Sequence, residues 1–276
     1  LDFGIIIALA CLTLPPVLGW FFFWRRRLAE PEPGRVLAEL FFYGILSAVP
    51  LLLLRRLFET NPEFNIFSGI SSLVLVIIIF AFLEEVLKGV LLIFGIERNQ
   101  KRFDKWEDGF EFAAMIALGF AFAENILYFY QEYKSAGISI DLWSLYLFRS
   151  LGTMLGHLIF TGTFGYFYAC AYIYPHIVPP TKLEKPLAKV LLSFWSFLRW
   201  PFHVLICHLL RQKDSARGHY SGQIIIEGFA LAVILHAVFN SLLTFTPAGQ
   251  SLAFLAVPLL ILPAWWYAAR FQKAKN

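Results

Sequence analysis

Residues 67–96 read FSGISSLVLVIIIFAFLEEVLKGVLLIFGI. The run is apolar almost throughout, and its only charges are Glu84, Glu85 and Lys88. About 20 apolar residues cross a bilayer as a helix. This run is longer than that, so it spans with a tilt, a kink or an extension past the bilayer. Outward from it, similar runs recur at 3–24, 36–54, 109–130, 143–172, 222–245 and 251–269. Of the 276 residues 59% are hydrophobic and only 15% charged, whereas soluble domains are near 25% charged. The expected fold is therefore all-α: a polytopic transmembrane helical bundle of about seven spans. It forms a single integral membrane domain over 1–276, with the polar-bearing helices in 67–245 and no internal repeat. The segment before Arg25 has neither a basic start nor a small-residue cleavage site, so it is read as a retained helix and not a signal peptide.

The net charge of +4 carries no nucleic-acid signal, because the basic residues sit in short clusters between apolar runs. With the N-terminus outside, the clusters at Arg25–Arg35, Arg98–Lys105, Lys182–Arg217 and Arg270–Lys275 all fall inside. Only Arg55, Arg56 and Lys134 fall in outside loops. The positive-inside rule then predicts an external N-terminus and a cytoplasmic C-terminus. Within the cytoplasmic loop 173–221, residues 187–210 are apolar, but Arg199 and Pro201 interrupt them. Trp195 and Trp200 beside basic residues suit the headgroup zone, so this stretch is expected to lie on the membrane as an interfacial helix. Cys11, Cys170 and Cys207 are far apart, without metal-ligand spacing, and are read as packing residues.

A charged side chain at the bilayer centre costs roughly 2.5–3.5 kcal/mol on insertion scales, so each needs a reason. Lys88 follows Glu84 by four residues and Glu85 by three, and shares a helix face with both. One Glu–Lys pair satisfies a structural role. The second carboxylate is then surplus in a low-dielectric setting, as a general base requires. Periodicity does not say which of the two is surplus. Glu124-Asn125 lies mid-run in the fourth segment; the fifth carries Arg149, His157 and Thr161; the sixth carries Glu227, His236 and Asn240. His157/Thr161 and His236/Asn240 are each one helical turn apart on one face. Arg149 and Glu227 lie toward helix ends and are read first as structural or interfacial. At 1.5 Å per residue, Glu84, Glu124, His157 and His236 all lie on the order of 20 Å from the cytoplasmic ends of their helices. Independent structural pairs need not coincide in depth, whereas residues around one water-containing cavity must.

Glu84-Glu85-x-x-Lys88, Asp108-Gly109 with Gly119-Phe120-Ala121-x-Ala123-Glu124-Asn125, Arg149 with His157 and Thr161, and His236-x-x-x-Asn240 occur in that order. Together they resemble the four motifs of the PrsW family, within the wider superfamily of CAAX-prenyl and bacteriocin-processing membrane proteases. The resemblance runs from about Glu84 to Asn240. It implies an intramembrane endopeptidase of a bacterial cytoplasmic membrane, cutting a single-span membrane protein such as an anti-sigma factor. In CAAX-type relatives the first motif supplies a water-activating glutamate and the His-x-x-x-Asn motif stabilises the oxyanion. Their second motif ends in His where this chain has Glu124, so the water-binding arrangement here differs.

Two mechanisms follow from the resemblance. In one, Glu84 or Glu85 is the base, His157 holds the water, and His236 with Asn240 donates to the oxyanion. In the other, Glu84 or Glu85, Glu124, His157 and His236 ligate a divalent metal, zinc being suited to these donors. The soluble zinc-protease signature His-Glu-x-x-His is absent, and no cofactor is favoured. Lys88, Asn125, Arg149 and Thr161 are assigned supporting roles. The expected partners are the lipid bilayer and a single-span protein substrate, not nucleic acid; the oligomeric state is left open. The competing readings are an ion- or proton-coupled transporter, in which the polar slab is an ion path, and a non-catalytic receptor. A transporter is disfavoured because no repeat-related pair of broken helices is visible.

Overall fold

The computed structural model describes residues 2–26, 28, 30–60, 73–173 and 215–245, and every regular element among them is helical. The helices are α1 (Phe3–Arg25), α2 (Gly34–Thr60), α3 (Leu73–Arg98), α4 (Trp106–Ala136), α5 (Ile140–Phe148), α6 (Met154–Ile173) and α7 (Ser215–Phe245). A 3₁₀ turn at Gln100–Arg102 leads into α4, and a π-helical segment, Arg149–Thr153, joins α5 to α6. Among the described residues, four stretches are long and apolar enough to cross a membrane: Phe3–Arg25, Gly34–Leu54, Trp106–Ala136 and Ile224–Phe245. The chain is thus a multi-helix membrane bundle.

The fifth segment is not one helix. Met154 N–H bonds to the Arg149 carbonyl, five residues back, which is the π pattern. α7, which carries the sixth apolar run, begins at Ser215, inside the stretch expected to be loop. The interfacial helix at 187–210, the span at 251–269, the start of the third run and most of the loop 173–221 lie outside the described residues. Of the cysteines, Cys11 is exposed and Cys170 buried, both free, and Cys207 is outside the described residues.

α4 is the central helix. It packs against α6, α2, α1 and α3, while α7 packs against α6 and α3. Bilayers supply little hydrophobic drive between helices, so close backbone approach at small residues matters. A Cβ on Gly119 would lie 2.0 Å from the Phe41 carbonyl oxygen, and one on Gly44 would lie 2.1 Å from that of Ile116. These glycines let α2 and α4 touch. Gly109 and Gly165 do the same for α4 and α6, each Cβ meeting the other's carbonyl oxygen at 2.3 and 2.2 Å. Asp108, just before Gly109, caps α4 by accepting from the backbone N–H groups of Asp104 at 3.0 Å and Lys105 at 2.8 Å. The Asp-Gly step is therefore structural on both counts.

One end of the bundle collects the basic clusters. Arg98 pairs with Glu39 at 2.7 Å, Arg25 with Glu111 at 3.8 Å, Arg102 with Glu32 at 3.9 Å, and Lys105 with Glu30. Glu32 lies between α1 and α2, and its backbone N–H donates to Glu111 at 3.0 Å. Burial, then the nearby Asp108 and Glu111, push its carboxyl above the ordinary value, against the pull of Arg102.

Candidate active site

Four helices bring their polar residues to one cluster. α3 contributes Glu84, Glu85 and Lys88; α4, Glu124 and Asn125; the π segment and α6, Arg149, His157 and Thr161; and α7, His236. The two imidazoles stand edge to face, with ring centroids 5.3 Å apart. The contact joins four chain segments, which separate ion pairs would not produce.

The two adjacent glutamates have different surroundings. Glu85 is 1% exposed and fully engaged. It forms an ion pair with Lys88, accepts from the Thr161 hydroxyl at 3.1 Å, and lies 2.8 Å from His236 Nδ1. Glu84 faces His236 Nε2 at 3.5 Å, and its buried Oε2 has no hydrogen-bond partner among the described residues. The surplus carboxylate of the sequence reading is therefore Glu84. Glu84, His157 and His236 each offer a ligand atom, and these atoms all lie within 4.8 Å of one another.

Each histidine has a carboxylate behind it. Glu85 bonds His236 Nδ1, which leaves Nε2 facing Glu84. Glu124 Oε2 lies 3.2 Å from His157 Nε2, and His157 Nδ1 lies 3.4 Å from Lys88 Nζ. Arg149 in turn holds Glu124, donating from its Nη2 to Oε2 at 2.6 Å, while its Nε donates to Asn125 Oδ1 at 2.6 Å. Arg149, read from sequence as structural or interfacial, is thus buried and one step from His157. Glu85 and Glu124, which the metal mechanism counted among possible ligands, occupy the layer that orients the imidazoles. Asn240 is half-buried one turn beyond His236, and no hydrogen bond joins its side chain to the cluster among the described residues.

Of the aromatic lining the sequence reading named Phe120 alone, as part of its second motif, and gave it no role. Phe160 stacks on His236 at 4.9 Å, Phe120 lies under Lys88 at 4.7 Å, and Tyr128 lies under Arg149 at 3.8 Å. A signal existed. Phe120 and Tyr128 are one turn either side of Glu124, and Phe160 is one turn after His157. The buried Glu111 was also missed, since it lies near the helix start among charged neighbours.

This arrangement can bind and deprotonate water. It has a carboxylate oxygen without a hydrogen-bond partner among the described residues, two imidazoles fixed by hydrogen bonds, and aromatic rings packed against the site. The donor set also fits a divalent ion, because one carboxylate and two imidazoles suit zinc, and a carboxylate behind each imidazole is the usual support.

Comparison with known proteins agrees with the motif reading. "Protease PrsW" of Clostridioides difficile (strain 630) is 29% identical over 155 residues, covering 56% of this chain and 61% of that protein. "Protease PrsW" of Bacillus subtilis (strain 168) is 26% identical over 200 residues, covering 71% of this chain and 89% of that protein. "Protease PrsW" of Oceanobacillus iheyensis is 33% identical over 97 residues, covering 35% of this chain and 42% of that protein. No solved structure matches. Residues 32–208 match the family described as PrsW family intramembrane metalloprotease, and the chain belongs to that family.

Proposed function

We propose that this chain is an intramembrane endopeptidase that hydrolyses a peptide bond of a single-span membrane protein with water activated at Glu84. The observation that carries the reading is the buried, unpartnered Oε2 of Glu84 beside two imidazoles that are each backed by a carboxylate. Glu84 accepts the proton of the attacking water, and His157 and His236 hold that water in line with the scissile carbonyl. Asn240 donates to the oxyanion of the tetrahedral intermediate. The proton held by Glu84 then passes to the leaving amine. Glu84, His157 and His236 are also the residues that would hold a divalent metal. Zinc bound there would lower the pKa of water and polarise the scissile carbonyl.

The finer features belong to the same proposal. We infer about seven spans, an interfacial helix at 187–210, and a bacterial cytoplasmic membrane, with the N-terminus outside and the C-terminus inside. The basic end formed by Arg25, Arg98, Arg102 and Lys105 supports a cytoplasmic face there. A membrane helix with closed backbone hydrogen bonds shields its carbonyls, so the scissile segment must be extended. The substrate class is a single-span protein cut near its extracytoplasmic end, and the resemblance to the family implies an anti-sigma factor. The test is cleavage of a tagged single-span protein by the purified chain in detergent, with the product mapped by mass. Failure to cut any such substrate, or equal turnover of the soluble ectodomain alone, would overturn the reading.

A further inference from the structure

Arg149 and His157 are eight residues apart in the chain, yet both reach the same oxygen, Glu124 Oε2, at 2.6 and 3.2 Å. An uninterrupted α-helix turns about 100° per residue, so eight residues leave two side chains about 80° apart around the axis. A π turn absorbs one extra residue. The remaining seven steps bring the pair within about 20° of each other on that same rise of about 100° per residue. The π segment at Arg149–Thr153 is thus the reason Arg149 and His157 share a face.

A π turn is a rare form that disturbs the regular backbone ladder, so a hydrogen bond reaching its carbonyls from another helix helps to hold it. Here Trp20 of α1 donates its indole N–H to the Ser150 carbonyl at 2.8 Å, one residue from Arg149. We propose that Trp20 is a positioning residue, whose hydrogen bond to Ser150 fixes the π turn that keeps Arg149 and His157 on Glu124; its effect on rate rests on the protease reading above. Trp20 precedes residues 32–208, the part of the chain that matches the family, so this support comes from outside the matched region. It touches no reacting group and acts only through Ser150, Arg149 and Glu124.

Trp20→Phe keeps a ring and removes the donor. In a reconstituted cleavage assay kcat should fall about tenfold, with KM nearly unchanged, as for loss of an outer hydrogen bond at a site of this kind. Arg149→Lys breaks the same bracket, so the double variant should be no slower than Arg149→Lys alone. Trp20→His returns a ring N–H and should recover part of the loss. Wild-type kcat in Trp20→Phe, or losses that multiply in the double variant, would overturn the proposal.

A second measurement needs neither activity nor folding of a variant. The Trp20 indole N–H of the wild-type protein should be protected from hydrogen exchange, and free exchange would refute the bond. With ¹⁵N-labelled histidine, the His157 ring signals should move in Trp20→Phe, and unmoved signals would refute the link. If the wild-type protein cuts nothing while those signals still move, the protease reading falls and the Trp20 link stands.

Discussion

Glu84→Gln and Glu85→Gln are expected to fail in different ways, although the two residues are neighbours on one helix. Glu85 is 1% exposed and its partner Lys88 is 0% exposed. Glutamine at 85 leaves the buried Lys88 ammonium without its paired carboxylate, and loses a charged acceptor for His236 Nδ1 and the Thr161 hydroxyl. Breaking a buried pair from one side costs about 3–5 kcal/mol. That is a large share of the stability of an ordinary domain. Glutamine at 84 removes an oxygen that had no hydrogen-bond partner, so unfolding should barely change. It cannot take a proton, and loss of a general base costs about 10²–10⁴-fold in rate. The assay pairs turnover of a tagged single-span substrate in proteoliposomes with thermal unfolding in detergent. Glu84→Gln should be stable and nearly inactive, while Glu85→Gln should be unstable, with a rate reduced at least tenfold through His236. Wild-type turnover in Glu84→Gln, or wild-type stability in Glu85→Gln, would refute the assignment of roles.

If Glu84, His157 and His236 hold a divalent ion, protein purified without chelator carries about one per chain and His236→Ala loses it, as elemental analysis would detect; active wild-type protein free of metal would refute the metal form and leave Glu84 as the base. Gly119→Ala should lower stability by about 1–3 kcal/mol, because its Cβ meets a backbone carbonyl that cannot move aside. Gly19→Ala, with nothing within 4 Å, is the neutral control, and equal unfolding temperatures for the two would refute the packing argument. With native cysteines replaced, Lys134→Cys should react with an impermeant thiol reagent in intact cells and Arg102→Cys only after permeabilisation; the reverse pattern would invert the orientation.

The helical membrane character was legible because long apolar runs permit few alternatives, and the cluster was legible because buried charge is costly enough to stand out. Depth along each helix, a simple product of residue count and rise, was sufficient to group Glu84, Glu124, His157 and His236. What periodicity could not do was separate Glu84 from Glu85. Lys88 lies within reach of both, and the choice depends on where His236 and Thr161 arrive from other helices. The π segment was invisible for a related reason. Its register shift follows from tertiary support at Ser150, and Arg149 through Thr153 carry no local sequence mark of it. Arg149 therefore looked like a helix-end residue, while the fold turns it onto Glu124.

The layer behind the histidines also sets the electrical state of the interior. Glu85 is matched by Lys88 and Glu124 by Arg149, so each orienting carboxylate arrives with its own cation and the two pairs sum to zero. Glu84 has no lysine or arginine paired with it among the described residues. The cluster as a whole therefore has one carboxyl without a matching cation, and it is that of Glu84. In a low-dielectric slab such a carboxyl is stabilised by whatever positive species can reach it, and a water proton or a metal cation both qualify. An enzyme that inserted these three carboxylates without the two matching cations would confront the bilayer with a triple charge. As built, two of the three arrive with a matching cation, and the third is the carboxyl of Glu84, beside the two imidazoles.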